Sequence, residues 1–288
     1  MSHFTVMVIG ENIEKQLQPF HEFECTGTND EFVVDVDITE EIAQAVADGK
    51  SLNDALGEYG LDDKRVTDEK DVRKDSTHKY GYAIVRRGKL IKAVNRTNPN
   101  KQWDWYELGG RWSGFLKLKP GAQGDNGDQS HKAGWCDSAL KRDIDFEGMR
   151  AAAQEREAKR FDAYLSVLAG REEPDWEVIR AKYSEADIGK ARKEYHDHPV
   201  IIDLRKEKFW STEHLRGKTL EQVIAAARNE AVSTFAVLKD GQWYERGSMG
   251  WWGIIVDEED AATWHQKVSE LLDSIPNDER ISIVDCHI

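Results

Sequence analysis

The stretch Trp105-Tyr106-Glu107-Leu108-Gly109-Gly110-Arg111-Trp112-Ser113-Gly114-Phe115-Leu116 returns, altered, as Trp243-Tyr244-Glu245-Arg246-Gly247-Ser248-Met249-Gly250-Trp251-Trp252-Gly253-Ile254-Ile255. Glu107 matches Glu245 and Gly109 matches Gly247; with one residue inserted, Trp112 matches Trp251 and Gly114 matches Gly253. A similar apolar phrase leads into each copy, Tyr82-Ala83-Ile84-Val85-Arg86-Arg87-Gly88 in the first and Phe235-Ala236-Val237-Leu238-Lys239-Asp240-Gly241 in the second. The first copy also carries an insert over residues 89–104. Such self-similarity indicates one supersecondary unit used twice. As a purely architectural feature it reads as two related β-meanders, in which Gly permits a bulge or close approach and a neighbouring Trp covers it. As a functional feature it reads as a pocket formed twice, or once between the copies, walled by Glu107 or Glu245. Arg111 occurs in one copy only, so such a site is expected to be asymmetric and to lie at the first.

Outward from the repeat, Phe4 to Ile9 reads as a first strand and residues 32–37 as a short extended segment. Thr39 is expected to cap a helix carrying Ile42, Ala45 and Val46, followed by a short helix over 51–59 and a charged loop over 62–77. Strands are expected over 80–85, 103–108 and 112–118, then a glycine-rich loop over 120–134. Residues 146–232 are helical in composition: Phe146, Met149, Ala153, Phe161, Tyr164, Leu165 and Leu168 form a stripe at three- and four-residue steps, and Asp175 and Thr219 can cap later helices. Strands then return over 234–238, 242–245 and 252–256, followed by a helix over 260–274 and a strand over 281–286. This order predicts an α+β fold with a mostly antiparallel sheet, built from two related meander or ferredoxin-like halves with a helical insertion. The expected organisation is an α+β half over 1–145, a helical insertion or lid over 146–232, and a second half over 233–288 packed with the first as one domain. The first and last strands can lie side by side.

The chain has 288 residues, with 40 Lys+Arg against 54 Asp+Glu and a formal charge of −14. Ten Trp, nine Phe and eight Tyr exclude a disordered acidic chain. No run of eighteen apolar residues suggests a membrane span. The start reads as a strand rather than a signal peptide, and three scattered cysteines, Cys25, Cys136 and Cys286, do not form a disulfide framework. These features lead to an expectation of a cytoplasmic protein. Charge is segregated: residues 1–75 hold 7 basic and 19 acidic residues, whereas 76–149 hold 13 basic and 8 acidic. A basic block inside an acidic protein points to an anionic partner.

In that block Arg86, Arg87, Lys89, Lys92, Arg96, Lys101, Arg111, Lys117 and Lys119 interleave with Trp103, Trp105, Tyr106 and Trp112. Cations neutralise phosphates and aromatic faces stack bases, so residues 86–119 suit a nucleotide or nucleic acid; a twisted sheet with a basic wet face has the same composition. The ligand-binding candidates are Trp105, Glu107, Arg111, Trp112, Arg86 and Arg87, with Trp243, Glu245, Trp251 and Trp252 as the counterpart. Acid–base candidates are Glu107, His21 and His131. His196 and His198, two apart, and Cys286-His287 are the residues nearest to a metal-ligand pattern, but no pair repeats with zinc-site spacing; a structural His before Pro199 is the simpler reading, and no metal or other cofactor is expected.

The opening Met1-Ser2-His3-Phe4-Thr5-Val6, the phrase His21-Glu22-Phe23-Glu24-Cys25-Thr26-Gly27, the block from Trp105 to Phe115, Asp143-Ile144-Asp145-Phe146-Glu147-Gly148-Met149, and the ending Val284-Asp285-Cys286-His287-Ile288 together resemble a group of proteins of phages and other bacterial mobile elements. The resemblance implies an accessory protein in a bacterial cytoplasm and supplies no catalytic residues. Three functions follow as expectations. The first is a binding protein that engages a bacterial host protein or a nucleotide-like ligand through Arg111, Trp105 and Trp112. The second is a small hydrolase or nuclease-like enzyme using Glu107, Arg111 and a histidine. The third is an acidic nucleic-acid mimic using residues 1–75.

Overall fold

The opening strand of the chain pairs along its whole length with the closing one. In a computed structural model, which describes residues 2–22, 30–129, 132–249 and 255–288, the strands are β1 (His3–Ile9), β2 (Val34–Asp37), β3 (Arg65–Val66), β4 (Gly81–Arg86), β5 (Lys89–Thr97), β6 (Trp105–Leu108), β7 (Leu116–Lys117), β8 (Trp135–Cys136), β9 (Ser138–Leu140), β10 (Ala236–Lys239), β11 (Gln242–Glu245), β12 (Ser248–Met249), β13 (Ile255–Val256) and β14 (Arg280–His287). The helices are α1 (Ile13–Leu17), α2 (Thr39–Ala47), α3 (Leu52–Gly57), α4 (Phe146–Leu168), α5 (Trp176–Arg180), α6 (Ile188–Asp197), α7 (Pro199–Lys206), α8 (Leu220–Glu230) and α9 (Ala261–Ser274). The fold is α+β, and its strand pairings are mostly antiparallel.

The main sheet has the order β11-β10-β1-β14-β6, with β9 also pairing β14. β1 runs parallel to β10 and antiparallel to β14. From Val6 to Ile9 its residues are apolar on both sides because both sides are covered there. Phe4, Val6 and Val8 pack with Leu17, Phe20, Trp103, Leu238 and Cys286 on one face. Met7 and Ile9 join Val237, Ile281 and Ile283 on the other, under Trp264, Val268 and Leu272 of α9 and Phe146 and Met149 of α4. Residues 34–97 build a separate sheet, β2-β5-β4-β3, with its own core of Ile38, Ile42, Leu56, Leu61, Ala83 and Ala93 beneath α2 and α3. The expected half over 1–145 is thus divided between two sheets, while 233–288 shares the first of them.

Long α4 belongs to two cores. Its first turns lie on the main sheet, and Phe161 and Tyr164 enter a helical cluster with Val200, Leu204, Phe209, Leu215 and Val223. Residues 146–232 are helical as expected, and Asp175 and Thr219 cap α5 and α8, Thr219 within a reciprocal capping box. Elsewhere the local chemistry departs from expectation. Asp37 rather than Thr39 holds the first turn of α2, its Oδ1 accepting from Thr39 N at 2.9 Å. The strand expected over 112–118 is instead a 3-10 turn over Gly110–Trp112 followed by the short β7. Part of the strand expected over 252–256 lies outside the described residues. Among the described residues, no helix is long and apolar enough to cross a membrane.

Ile283 is fully buried at the centre of the main sheet, whereas Ile202 on α7 is exposed. Ile283→Ala is expected to lower unfolding free energy by roughly 2–5 kcal/mol, read as a fall in urea midpoint at unchanged slope, and Ile202→Ala by less than about 0.5 kcal/mol. Equal effects would contradict this core.

Candidate functional site

The register of the main sheet places His3 opposite His287 and His287 opposite Trp105. Two residues along, Thr5, Asp285 and Glu107 form the next row on the same face. Diagonal neighbours across a sheet are within side-chain reach, and His3 Nδ1 meets Asp285 Oδ1 at 2.9 Å. His287 Nδ1 meets Asp104 Oδ1 at 2.6 Å. The two imidazoles stand edge to face, 4.9 Å between centroids. A ring whose Nδ1–H donates to a carboxylate leaves Nε2 as its basic position. Neither Nε2 makes a hydrogen bond among the described residues.

Asp104 is itself held in place. Its backbone N–H donates to His287 O at 2.9 Å, and its carbonyl lies 2.8 Å from His21 Nε2, whose ring sits 4.4 Å from that of Trp103. His21, expected as a proton carrier, therefore positions the partner of His287. Asp285 is 2 % exposed and also accepts from Arg111 N at 3.0 Å. The turn that delivers this N–H needs its glycines. Gly110 has φ +48°, and a Cβ there would collide with the Asp285 side chain; Gly109 has φ +71°, and a Cβ there would collide with the carboxylate of Asp137. Asp137, with no exposed surface, accepts from Gly114 N at 2.5 Å, Gly127 N at 2.8 Å and Ser113 Oγ at 3.2 Å. Two buried aspartates thus explain the glycines at 109 and 110 of the first copy.

Around the imidazoles lie groups with unused capacity. Trp105 is 50 % exposed. Glu107 is partly buried and makes no hydrogen bond or ion pair among the described residues. The Arg111 guanidinium is exposed and likewise unpaired. The rest of the basic block is dispersed. Arg86 and Lys92 lie on the second sheet beside Asp68 and Glu69, and Arg87 occupies the tip of its hairpin at φ +48°. Arg96 is buried against Asp30 and Asp35. Lys101 pairs with Glu22 and Lys117 with Asp145, while Lys119 donates to Arg142 O. Arg86 and Arg87 accordingly belong to the second sheet, and Arg111 to the turn beside the main one.

Among the described residues, the counterpart copy does not complete a pocket with the first. Trp243 and Glu245 are in register with Leu238 and Ala236, and so face the Phe4–Val8 side of the sheet. Trp105 and Glu107 face the other side, at the opposite edge. Trp243 packs near Phe4 and Phe20 and donates from Nε1 to Glu245 Oε2 at 3.0 Å. Burial pushes the Glu245 carboxyl above its usual range, opposed by the Trp243 hydrogen bond. Trp112 packs partly buried against the α9-side core.

Trp251, Trp252 and His131 lie outside the described residues. His196 Nδ1 lies 2.8 Å from an Arg205 nitrogen, and His198 Nδ1 accepts from Val200 N at the start of α7. Cys286 points to the face opposite His287 and is buried, which drives its thiol pKa well upward, with Asp285 and Asp104 adding to the effect. Among the described residues no three potential metal ligands converge. His3, Asp104, Asp285 and Asp137 were not singled out from the sequence. The signal for His3 and Asp285 was the expected pairing of the terminal strands, which sets His3 and His287 side by side; Asp104 and Asp137 carried none. Comparison with protein-family models, characterised proteins and solved structures yields no match.

Two outcomes check this geometry. Asp137→Ala strands three buried or part-buried donors and is expected to cost roughly 3 kcal/mol or more in chemical unfolding, with Asp137→Asn intermediate; an unchanged midpoint would contradict the wrapped turn. Because the folded-state pKa of Glu245 is raised, its ionisation weakens the fold as pH rises through that value. Glu245→Gln is therefore expected to raise the Tm at pH 8, and the gain to vanish below the ordinary carboxylate range. A difference independent of pH would contradict the burial.

Proposed function

We propose that the chain is an acid–base hydrolase acting on a phosphoester of nucleotide-like character, with His3 and His287 as the proton-transferring pair. The observation that carries this reading is the geometry of the two rings: each is held at Nδ1 by its own carboxylate, each has an open Nε2, and they stand 4.9 Å apart. Phosphoester cleavage needs a proton taken from the attacking water or hydroxyl and another delivered to the leaving oxygen. Two oriented imidazoles supply both without a metal ligand set. Arg111 would hold the phosphate by charge-assisted hydrogen bonds, and Trp105 would stack a planar base. Glu107, beside Asp285 on the same face, would orient the attacking water.

Four of the stretches that carry the resemblance to phage and mobile-element proteins contribute here: His3 and Thr5, His21, Trp105 to Arg111, and Asp285 to His287. This supports an accessory role in a bacterial cytoplasm, with a nucleotide or short RNA as the substrate. A second reading, capture of the same ligand without turnover, is favoured by depth, since His287 is only 7 % exposed.

Turnover of bis(p-nitrophenyl) phosphate, nucleoside 2′,3′-cyclic phosphates and a short single-stranded RNA tests the proposal. His3→Asn and His287→Asn keep a donor near the Nδ1 position and delete Nε2; each is expected to lower kcat/KM by about 10²-fold or more while circular dichroism is unchanged. Arg111→Ala is expected to act mainly on KM. Binding without turnover across the panel would establish the capture reading instead, and histidine variants with wild-type rates would remove the site altogether.

A further inference from the structure

A second site lies in the helical segment, apart from the main sheet. A cavity of about 250 Å³ is bounded by α5, α6, α7 and the chain that follows α7. Its walls include Trp176, Tyr195, Phe209 and Trp210, and its charged lining is Arg205 and Arg216 with Glu173 and Glu213. Trp176 and Tyr195 meet edge to face at 5.7 Å, which fixes two rings of the wall. Trp210 is 77 % exposed, unusual for a residue that gains so much from burial, and no core contact accounts for its place.

The polar groups are unequally satisfied. Glu173 is occupied, accepting from Tyr164 Oη at 2.7 Å and Thr212 Oγ1 at 2.5 Å. Arg216 approaches Asp175 at 3.5 Å, and Glu213 is exposed to solvent. Arg205 has no carboxylate partner among the described residues. One guanidinium nitrogen lies 2.8 Å from His196 Nδ1, and its remaining donors are unused. The presence of Arg205 and Arg192 helps burial hold the His196 imidazole below its usual pKa, so the partner of Arg205 does not offset its charge. The Tyr195 hydroxyl also makes no hydrogen bond among the described residues. A ring-lined cavity of mixed polarity, with one planar cation that has no carboxylate partner and one hydroxyl that makes no hydrogen bond among the described residues, is complementary to a flat ring that bears a carboxylate: the ring fits between aromatic faces and the carboxylate matches the guanidinium fork.

We propose that this cavity binds a small aromatic carboxylate, with Arg205 receiving the carboxylate and Trp210 closing over the ring. The volume limits the ligand to one ring system with a short acidic arm. The site shares no residue with the imidazole pair, so its occupancy can be read independently of any turnover.

Ligand-observed saturation-transfer NMR and calorimetry on the full chain, with benzoate, 4-hydroxybenzoate, phenylacetate and indole-3-acetate as probes, test the proposal. At least one is expected to bind in the millimolar range or tighter, while tryptamine and inorganic phosphate do not compete. Trp210→Ala alters an exposed residue and Arg205→Gln a half-exposed one, so both should fold with wild-type circular dichroism. Each is expected to weaken binding by about tenfold. The assignment is overturned if none of the four carboxylates binds, if tryptamine binds as well as indole-3-acetate, or if Arg205→Gln binds like the wild type.

Discussion

The pairing of β1 with β14 is the constraint on which the rest of the molecule depends. Seven residue pairs, from His3 with His287 to Ile9 with Ile281, fix one register. A shift by one residue would move Met7 and Ile9 from the α9-side core to the opposite face and exchange Phe4, Val6 and Val8 in the other direction. Both faces are buried, so the penalty falls on two cores at once. The same register aligns His3, His287 and Trp105 in one row and Thr5, Asp285 and Glu107 in the next. The site is thus a consequence of the fold's most strongly specified contact, carried on strands rather than loops.

Two buried carboxylates convert that scaffold into a site. Removing a carboxylate from water is costly unless hydrogen-bond donors replace the solvent. Asp137 recruits two backbone N–H groups and a hydroxyl, and Asp285 recruits Arg111 N and the His3 ring. The turn at 109–114 is wound around both, with glycines where a side chain would strike a carboxylate. Asp285 therefore sets the path of the turn carrying Arg111 and the orientation of one imidazole together. Disturbing either function disturbs the other.

Part of the architecture is legible in the sequence because it rests on local signals: the helical block over 146–232 and the caps at Asp175 and Thr219 follow from periodicity and capping chemistry. The neighbouring terminal strands follow from their place in the strand order, whereas β5 (Lys89–Thr97) falls in the stretch read as an insert. What escapes is long-range. Trp112, Phe115 and Leu116 imitate a strand, while buried Asp137, remote from them in pattern, bends that stretch into a turn. The basic block reads as one surface, yet Arg96, Lys101 and Lys117 are met by Asp30 and Asp35, Glu22 and Asp145 from other stretches. The two repeat copies share wording and not environment: Glu107 and Glu245 lie at opposite edges and on opposite faces of one sheet. Alternation along a strand decides facing, and only register decides which alternation applies. His21 was legible as a notable residue, whereas its role in holding Asp104 depends on a contact that spacing does not encode.

The proposed acid–base chemistry depends on the protonation geometry of two histidines, each bonded through Nδ1 so that Nε2 is left basic and open. Long-range nitrogen–proton correlation NMR on protein carrying ¹⁵N-labelled histidine reads this directly, with His3→Asn and His287→Asn assigning the signals. Above the range in which histidine titrates, the account predicts that both rings carry their proton on Nδ1. A proton on Nε2 of either ring would mean that its carboxylate contact is not the one described, and would contradict the acid–base pair at its foundation.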